Sequence, residues 1–209
     1  MSCLDFHPEG SSLSCARGTK VAGQSFAFYS VLPMTATQDH VDDGISELLQ
    51  SSLDGYRVCV FSYGQTGSGK THTMTGCPGN EGVIPRSVRH ILKNSIDLQE
   101  SNSGWKVSLK ASIVELYNEE LKDLLCNSSS KGEKLKISFD QGKVNVAGLT
   151  YDEFTLTDID SGMDQLNRLL AQSTKARTTA CTGMNEHSSR SHCVFMLDVV
   201  CKHTNGQVM

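Results

Sequence analysis

Hydrophobic residues recur along this chain with two periods. Val41, Ile45, Leu48, Leu49 and Leu53 fall three or four apart, the spacing of one helical face, with Thr37 and Asp39 placed to cap its start. Ile84-Pro85-Arg86 leads into a second helical set, Val88, Ile91, Leu92 and Ile96, and Ile159, Met163, Leu166, Leu169 and Leu170 make another. Between them the period drops to two. Trp105, Val107, Leu109, Ala111 and Ile113 alternate with mostly polar residues, which predicts a strand with one buried face. Continuous apolar runs at Val58-Cys59-Val60-Phe61 and from His192 to Cys201 predict a buried parallel strand and a central strand. Phe26, Phe28 and Val31 predict a short strand before Pro33. Residues 118–126 read as a short helix, and 135–139 with 143–146 as a hairpin turning at Gln141-Gly142. Residues 1–23 read as an irregular N-terminal segment. Residues 127–134, rich in Ser, Gly and Lys, read as a surface loop.

One stretch changes this outline into a chemical expectation. Gly64-Gln65-Thr66-Gly67-Ser68-Gly69-Lys70-Thr71 fits the phosphate-binding loop pattern, Gly, four residues, then Gly-Lys-Ser/Thr. Its glycines let the backbone bend so that successive N–H groups point at phosphate oxygens. Lys70 is a mobile point charge for the β- and γ-phosphates, and the Thr71 hydroxyl is a hard oxygen ligand suited to Mg2+. The bland alternative is a flexible Gly/Ser turn. The apolar run before the loop and the helix start after it favour a nucleoside triphosphate site. Strands alternating with helices around such a loop imply a three-layer α/β sandwich.

Composition narrows the partners. The chain has 209 residues, 38% hydrophobic and 20% charged, enough for one substantial core. A net charge of −4 gives no basic field to attract nucleic acid, and no apolar stretch is long enough to span a bilayer, so neither a nucleic acid nor a membrane is expected as partner. Eight cysteines show no Cys-x2-Cys pair and no finger-like spacing with histidine, so reduced thiols in the cytoplasm are expected, with Cys59 and Cys193 acting as small hydrophobes inside apolar runs.

A second motif, Asn185-Glu186-His187-Ser188-Ser189-Arg190-Ser191-His192, is dense in hydroxyls and donors just before the apolar run that begins at His192. It reads either as a polar loop feeding a strand or as a source of γ-phosphate and Mg2+ contacts. Together with Tyr63–Met74 it resembles a kinesin motor domain, the first motif matching the phosphate loop and the second switch I. Gly82-Val83-Ile84-Pro85-Arg86, Val114-Glu115-Leu116-Tyr117-Asn118-Glu119 and Asp123-Leu124-Leu125 match in order. The wording around Ala36–Asp39, Leu53–Tyr56 and Gly104-Trp105 is most similar to the C-terminal-motor kinesins, kinesin-14.

The resemblance implies a P-loop NTPase fold with a central mixed β-sheet, spanning residues 24–209 as an incomplete motor head. It implies an ATPase that couples Mg-ATP hydrolysis to microtubule-based movement in a complete head, with ATP and Mg2+ as cofactors, tubulin as partner and the cytoplasmic microtubule cytoskeleton as location. Carried over by position, residues 64–71 wrap the phosphates, Lys70 reaches the β/γ oxygens and Thr71 the Mg2+. His72 lies against adenine, or is an ordinary helix-face histidine. Ser188 approaches the γ-phosphate, Ser189 the Mg2+ shell, Arg190 closes the pocket around the attacking water, and Asn185 supports that water.

The family's switch II, Asp-x-x-Gly-x-Glu, has no counterpart here, since no aspartate is followed three residues later by glycine. Asp198 is either a Walker-type aspartate or part of the switch I strand. The Arg-x-Arg-Pro segment that covers adenine in the family is absent from the N-terminus, and Tyr29 and Leu32 stand where the family has Asp and Phe. The expectation is therefore a head fragment that binds nucleotide and hydrolyses it poorly, or a non-catalytic pseudo-motor. No heptads for a dimerisation coiled coil occur, and no Asn-Lys-x-Asp segment points to guanine. Lys131, Lys134, Lys136 and Lys143 are either a basic contact to acidic tubulin or a solvated loop face.

Overall fold

In residues 1–46, three short strands form one antiparallel sheet in the order β1 (Leu4–Phe6), β2 (Ser12–Cys15) and β3 (Ser25–Ala27). The first two lie in the segment read as irregular. Strands of three and four residues are too short to display a period, so sequence reading passes over them. The computed structural model describes residues 4–6, 12–15, 24–101, 104–126, 135–140, 143–179 and 191–208. The chain divides into two units, residues 1–46 and 47–209. Helix α1 (Gln38–Asp43) starts after Thr37, as its capping side chain predicts, and the Thr37 N–H donates to His40 Nδ1 at 3.2 Å. The helical set from Val41 to Leu53 is not one helix, however. Gly44, a poor helix former, and Ile45 separate α1 from α2 (Ser46–Leu53).

The larger unit is built on a long strand pair. β6 (Trp105–Tyr117) pairs antiparallel with β11 (Ser191–His203) along its whole length, from Trp105↔His203 to Tyr117↔Ser191. The rings of Trp105 and His203 meet edge-on, centroids 4.9 Å apart, at one end of that pair. Chain order before the pair is α3 (Lys70–Met74), the small hairpin β4 (Gly76–Cys77) and β5 (Asn80–Glu81), then α4 (Val83–Glu100). Between β6 and β11 come β7 (Glu120–Asp123), the hairpin β8 (Lys136–Asp140) and β9 (Lys143–Ala147), β10 (Asp152–Glu153) and α5 (Ile159–Thr179). The sheet order is β10-β6-β11, with β7 also on β6, and every pairing among the described residues is antiparallel.

The core forms where α4 and α5 lie against this sheet. Val88, Ile91 and Leu92 of α4 meet Met163, Leu166 and Leu169 of α5, and both sets meet Val107, Leu109, Ala111 and Ile113 of β6. These are the residues that the helical and alternating patterns nominate. Leu92 is fully buried and faces Gly162, where an added Cβ would stand 2.6 Å from Leu92 Cδ1. The helices therefore approach closely at that glycine.

Four further expectations need correction. Residues 118–126 are not a helix but a turn and β7. Asn118 and Glu119 both take left-handed backbone (φ 49° and 65°), which makes a two-residue loop whose twist suits a hairpin. Asp123 then ends β7 by accepting N–H groups of Leu125, Cys126 and Thr150 at 2.9, 3.2 and 2.7 Å. β6 buries more than one face, since Ala111 through Glu115 are all buried. The run Val58–Phe61 forms no strand among the described residues, and Cys59, Val60 and Phe61 are exposed. A buried parallel strand needs ladder partners for its N–H and C=O groups, and none of the described strands pairs with it. Finally β11 stands at the end of its sheet, not the centre. Val194 and Cys193 are exposed, and among the described residues the edge away from β6 carries only the isolated bridge Lys202↔Val208. The predicted hairpin over 135–146 is present in register from Lys136↔Ala147 to Asp140↔Lys143, while its turn residues Gln141-Gly142 and the loop 127–134 lie outside the described residues.

Candidate nucleotide-binding site

Residues 64–71 form a tight loop running into α3. The Ser68 N–H donates to the Gln65 carbonyl at 3.2 Å, which folds the loop's first half. Gly69 sits at the helix start with φ 88°, a left-handed conformation open to glycine and costly for a residue with a Cβ. At Gly64 the loop also closes on itself, and a Cβ there would stand 2.6 Å from Ser68 Oγ, which would have to turn away. Helix α3 then closes with Thr73 N–H on Gly69 O and Thr75 N–H on Thr71 O at 2.9 and 2.8 Å.

Lys70 occupies the hub of this loop. Its ammonium donates to the carbonyls of Gly64 and Gln65, each at 2.7 Å, so the loop bends around the charge that the motif assigns to phosphate. Thr71 and His72 follow on α3 and are exposed. The loop holds one cation, three hydroxyls and no carboxylate, a donor-rich set that fits an anion. Among the described residues no three His, Cys, Asp or Glu side chains gather as a metal cage. The exposed Thr71 hydroxyl could offer a Mg2+ a single protein ligand, which fits an ion that brings phosphate oxygens with it.

The surroundings fix the loop in place. The β4–β5 hairpin folds back on α3, with the Gly82 N–H on Thr75 O at 3.1 Å, and a Cβ at buried Gly82 would meet Thr73 O at 2.6 Å. Glu81 then anchors α4, its carboxylate accepting from Arg89 at 3.0 and 3.2 Å and its carbonyl from Arg86 Nε at 2.7 Å. A cavity of about 190 Å³ lies elsewhere, among α2, α4, β6 and β11, lined by Leu53, Ser95, Leu98, Val107, Val199 and Cys201. No residue of the phosphate loop reaches it, and burial raises the pKa of the Cys201 thiol, which leaves it an inert wall.

Of the second motif, Ser191 and His192 open β11, while Asn185, Ser188, Ser189 and Arg190 lie outside the described residues. Beside Ser191 stand two charged residues to which sequence reading gave no role. Glu115 is 1% exposed, and Arg177 Nε lies 3.1 Å from its Oε1 while Arg177 Nη2 donates to Ser191 Oγ at 3.0 Å. Parity was the available signal. Glu115 continues the core-facing odd positions 107, 109, 111 and 113 of β6, so its carboxylate points inward and needs a cation.

Comparison with known proteins identifies the family. Residues 7–208 match the kinesin motor domain family. The chain belongs to that family. A kinesin-like protein KIN-14N from Oryza sativa subsp. japonica is 42% identical over 190 residues, covering 88% of this chain and 24% of the relative. A human kinesin-like protein, KIFC1, is 42% identical over 188 residues, covering 86% and 27%. The chain thus spans about a quarter of the length of these relatives, and the KIN-14 names bear out the resemblance to kinesin-14. Among solved structures, a fast kinesin superposes with a TM-score of 0.84 at 29% identity, over 100% of this chain and 56% of its own. A Kar3-like kinesin motor domain from Ashbya gossypii gives 0.75 at 32% identity, over 98% and 59%. The expected α/β fold of a partial kinesin head is therefore correct.

Proposed function

We propose that this kinesin-family chain binds Mg-ATP at Gly64–Thr71 and belongs to a motor that couples ATP hydrolysis to movement along microtubules. The observation that carries the reading is Lys70, whose ammonium is held over the loop by two 2.7 Å contacts to carbonyls rather than extended into solvent. On binding, it exchanges those neutral acceptors for charged phosphate oxygens, which form the stronger hydrogen bonds. The N–H groups of residues 64–69 add donors, Thr71 offers its hydroxyl to Mg2+, and His72 stands one residue further on to lie against the base. Mg2+ supplies charge neutralisation at the β/γ oxygens. Ser188, Ser189, Arg190 and Asn185 hold the γ-phosphate side, the Mg2+ shell and the attacking water, so the chain's work is positioning and charge stabilisation.

The microtubule is the proposed partner, placing the protein on the cytoplasmic cytoskeleton. The β8–β9 hairpin supports this with exposed Ile137, Phe139 and Val144 beside exposed Lys136, a surface with both apolar and basic character for an acidic filament. Phosphate release measured with and without microtubules tests the function. Microtubule-stimulated turnover that Lys70→Ala abolishes supports a motor ATPase. Nucleotide and microtubule binding without turnover makes this chain a non-catalytic binding module. Failure to bind either one ends the motor reading.

A further inference from the structure

A serine inside a helix can satisfy its hydroxyl on a carbonyl three or four residues earlier. Ser51, Ser52 and Ser173 do so, donating to Glu47 O, Leu49 O and Leu170 O at 3.0, 2.7 and 2.8 Å. Ser95 does not. It stands on the core face of α4, at three- and four-residue steps from Leu92 and Ile91, and is 2% exposed. Its Oγ has no hydrogen-bond partner among the described residues, and bulk water does not reach it. The residue forms part of the wall of the 190 Å³ cavity instead. Other polar side chains at that cavity have already placed a donor. Gln50 Nε2 donates to Asp54 Oδ1 at 3.0 Å, and Asn94 Nδ2 to His90 O at 2.8 Å. Gln50 and Asp54 are exposed and stand at the mouth.

Volume, lining and charge together define what this space accepts. At about 190 Å³ it exceeds the roughly 150 Å³ at which an apolar cavity takes up benzene, so one ring and one small substituent fit. About six waters would fill the same volume, yet a buried water needs two to four polar partners, and Leu53, Leu98, Val107, Val199 and Cys201 offer none from their side chains. The Asp54 carboxylate at the mouth repels an anion, and apolar walls penalise any ionised guest. A neutral guest with one polar atom meets each condition. We propose that the cavity is a binding site for a small neutral molecule, one ring bearing one hydroxyl or amino group. Its polar atom bonds to Ser95 Oγ and its ring lies against Leu98, Val107 and Val199. The site shares no residue with the phosphate loop and does not depend on the nucleotide-binding reading.

The test titrates phenol, benzene and benzoate into the 209-residue chain by ligand-observed NMR, with thermal melting of each variant. Phenol is expected to saturate with a Kd of about 1 mM, benzene to bind about fivefold more weakly, and benzoate not to bind. Ser95→Ala is expected to weaken phenol about fivefold, to the level of benzene, and to leave benzene unmoved. Its melting temperature should not fall, because the hydroxyl has no bond within the described residues to lose. Val199→Phe, which fills the cavity from β11, is expected to abolish binding of both, and Ser95→Ala serves alone if that variant fails to fold. Absence of saturable phenol binding leaves the cavity to water and overturns the inference. Phenol binding of unchanged strength in Ser95→Ala overturns it too, and the same result in folded Val199→Phe does so by placing the phenol elsewhere.

Discussion

Lys70 and Glu115 are charged residues with opposite solutions to the same difficulty. Lys70 sits in an exposed loop and satisfies its ammonium on two carbonyls, contacts it can release. Glu115 is sealed in the core and has Arg177 as the cation beside it. Replacing Glu115 by Gln is expected to lower unfolding stability by about 3 kcal/mol in urea titration, the low end for breaking a buried pair because Arg177 retains some contact with water. Asp158 offers a milder case. The Ser161 N–H and hydroxyl, each 2.8 Å from its carboxylate, hold its pKa below the ordinary aspartate value. A depressed carboxylate stabilises the fold above its unfolded pKa, and that stabilisation is lost as pH falls through the folded one. Melting of Asp158→Ala should therefore lag the wild type at neutral pH and converge with it below the usual aspartate range. At this scale the sequence was legible where chemistry is compressed into a motif, as at Lys70. It was silent at Arg177, whose partner lies sixty-two residues away in sequence.

Elements obey periodicity when they are long and one-sided. Helices α4 and α5 and strand β6 appear where spacing places them, because an eighteen- or twenty-one-residue helix repeats its apolar face several times. Short elements escape that logic. β7 lies where the sequence reads as helix, because four residues after a turn carry too little pattern and left-handed Asn118-Glu119 lacks the usual glycine signal. The apolar run of β11 gave a strand but not its place, since an edge and a centre can share a composition. Leu92 of α4 leaves no room for a Cβ at Gly162 of α5. Gly162→Val is expected to cost about 2 kcal/mol by overpacking, read as a lower urea midpoint at unchanged slope. Leu92→Ala, which empties a fully buried position in the same core, is expected to cost about 3 kcal/mol.

At the scale of the whole molecule, ordered motifs reached further than element patterns. Two separated motifs and the stretches between them pointed to the kinesin family, and the match over residues 7–208 agrees. The strand expected before the phosphate loop forms no ladder among the described residues, because strand pairing depends on partners that no local pattern specifies. The account stands on the claim that Gly64–Thr71 receives the phosphates of a Mg-nucleotide. Calorimetric titration of a non-hydrolysable ATP analogue into the chain, with Mg2+ and with chelator, tests it against Lys70→Ala. The account predicts Mg2+-dependent binding that weakens about a hundredfold when the ammonium is removed while the circular dichroism spectrum is retained. Binding of equal strength in the folded Lys70→Ala chain, or no binding by the wild type, would contradict it.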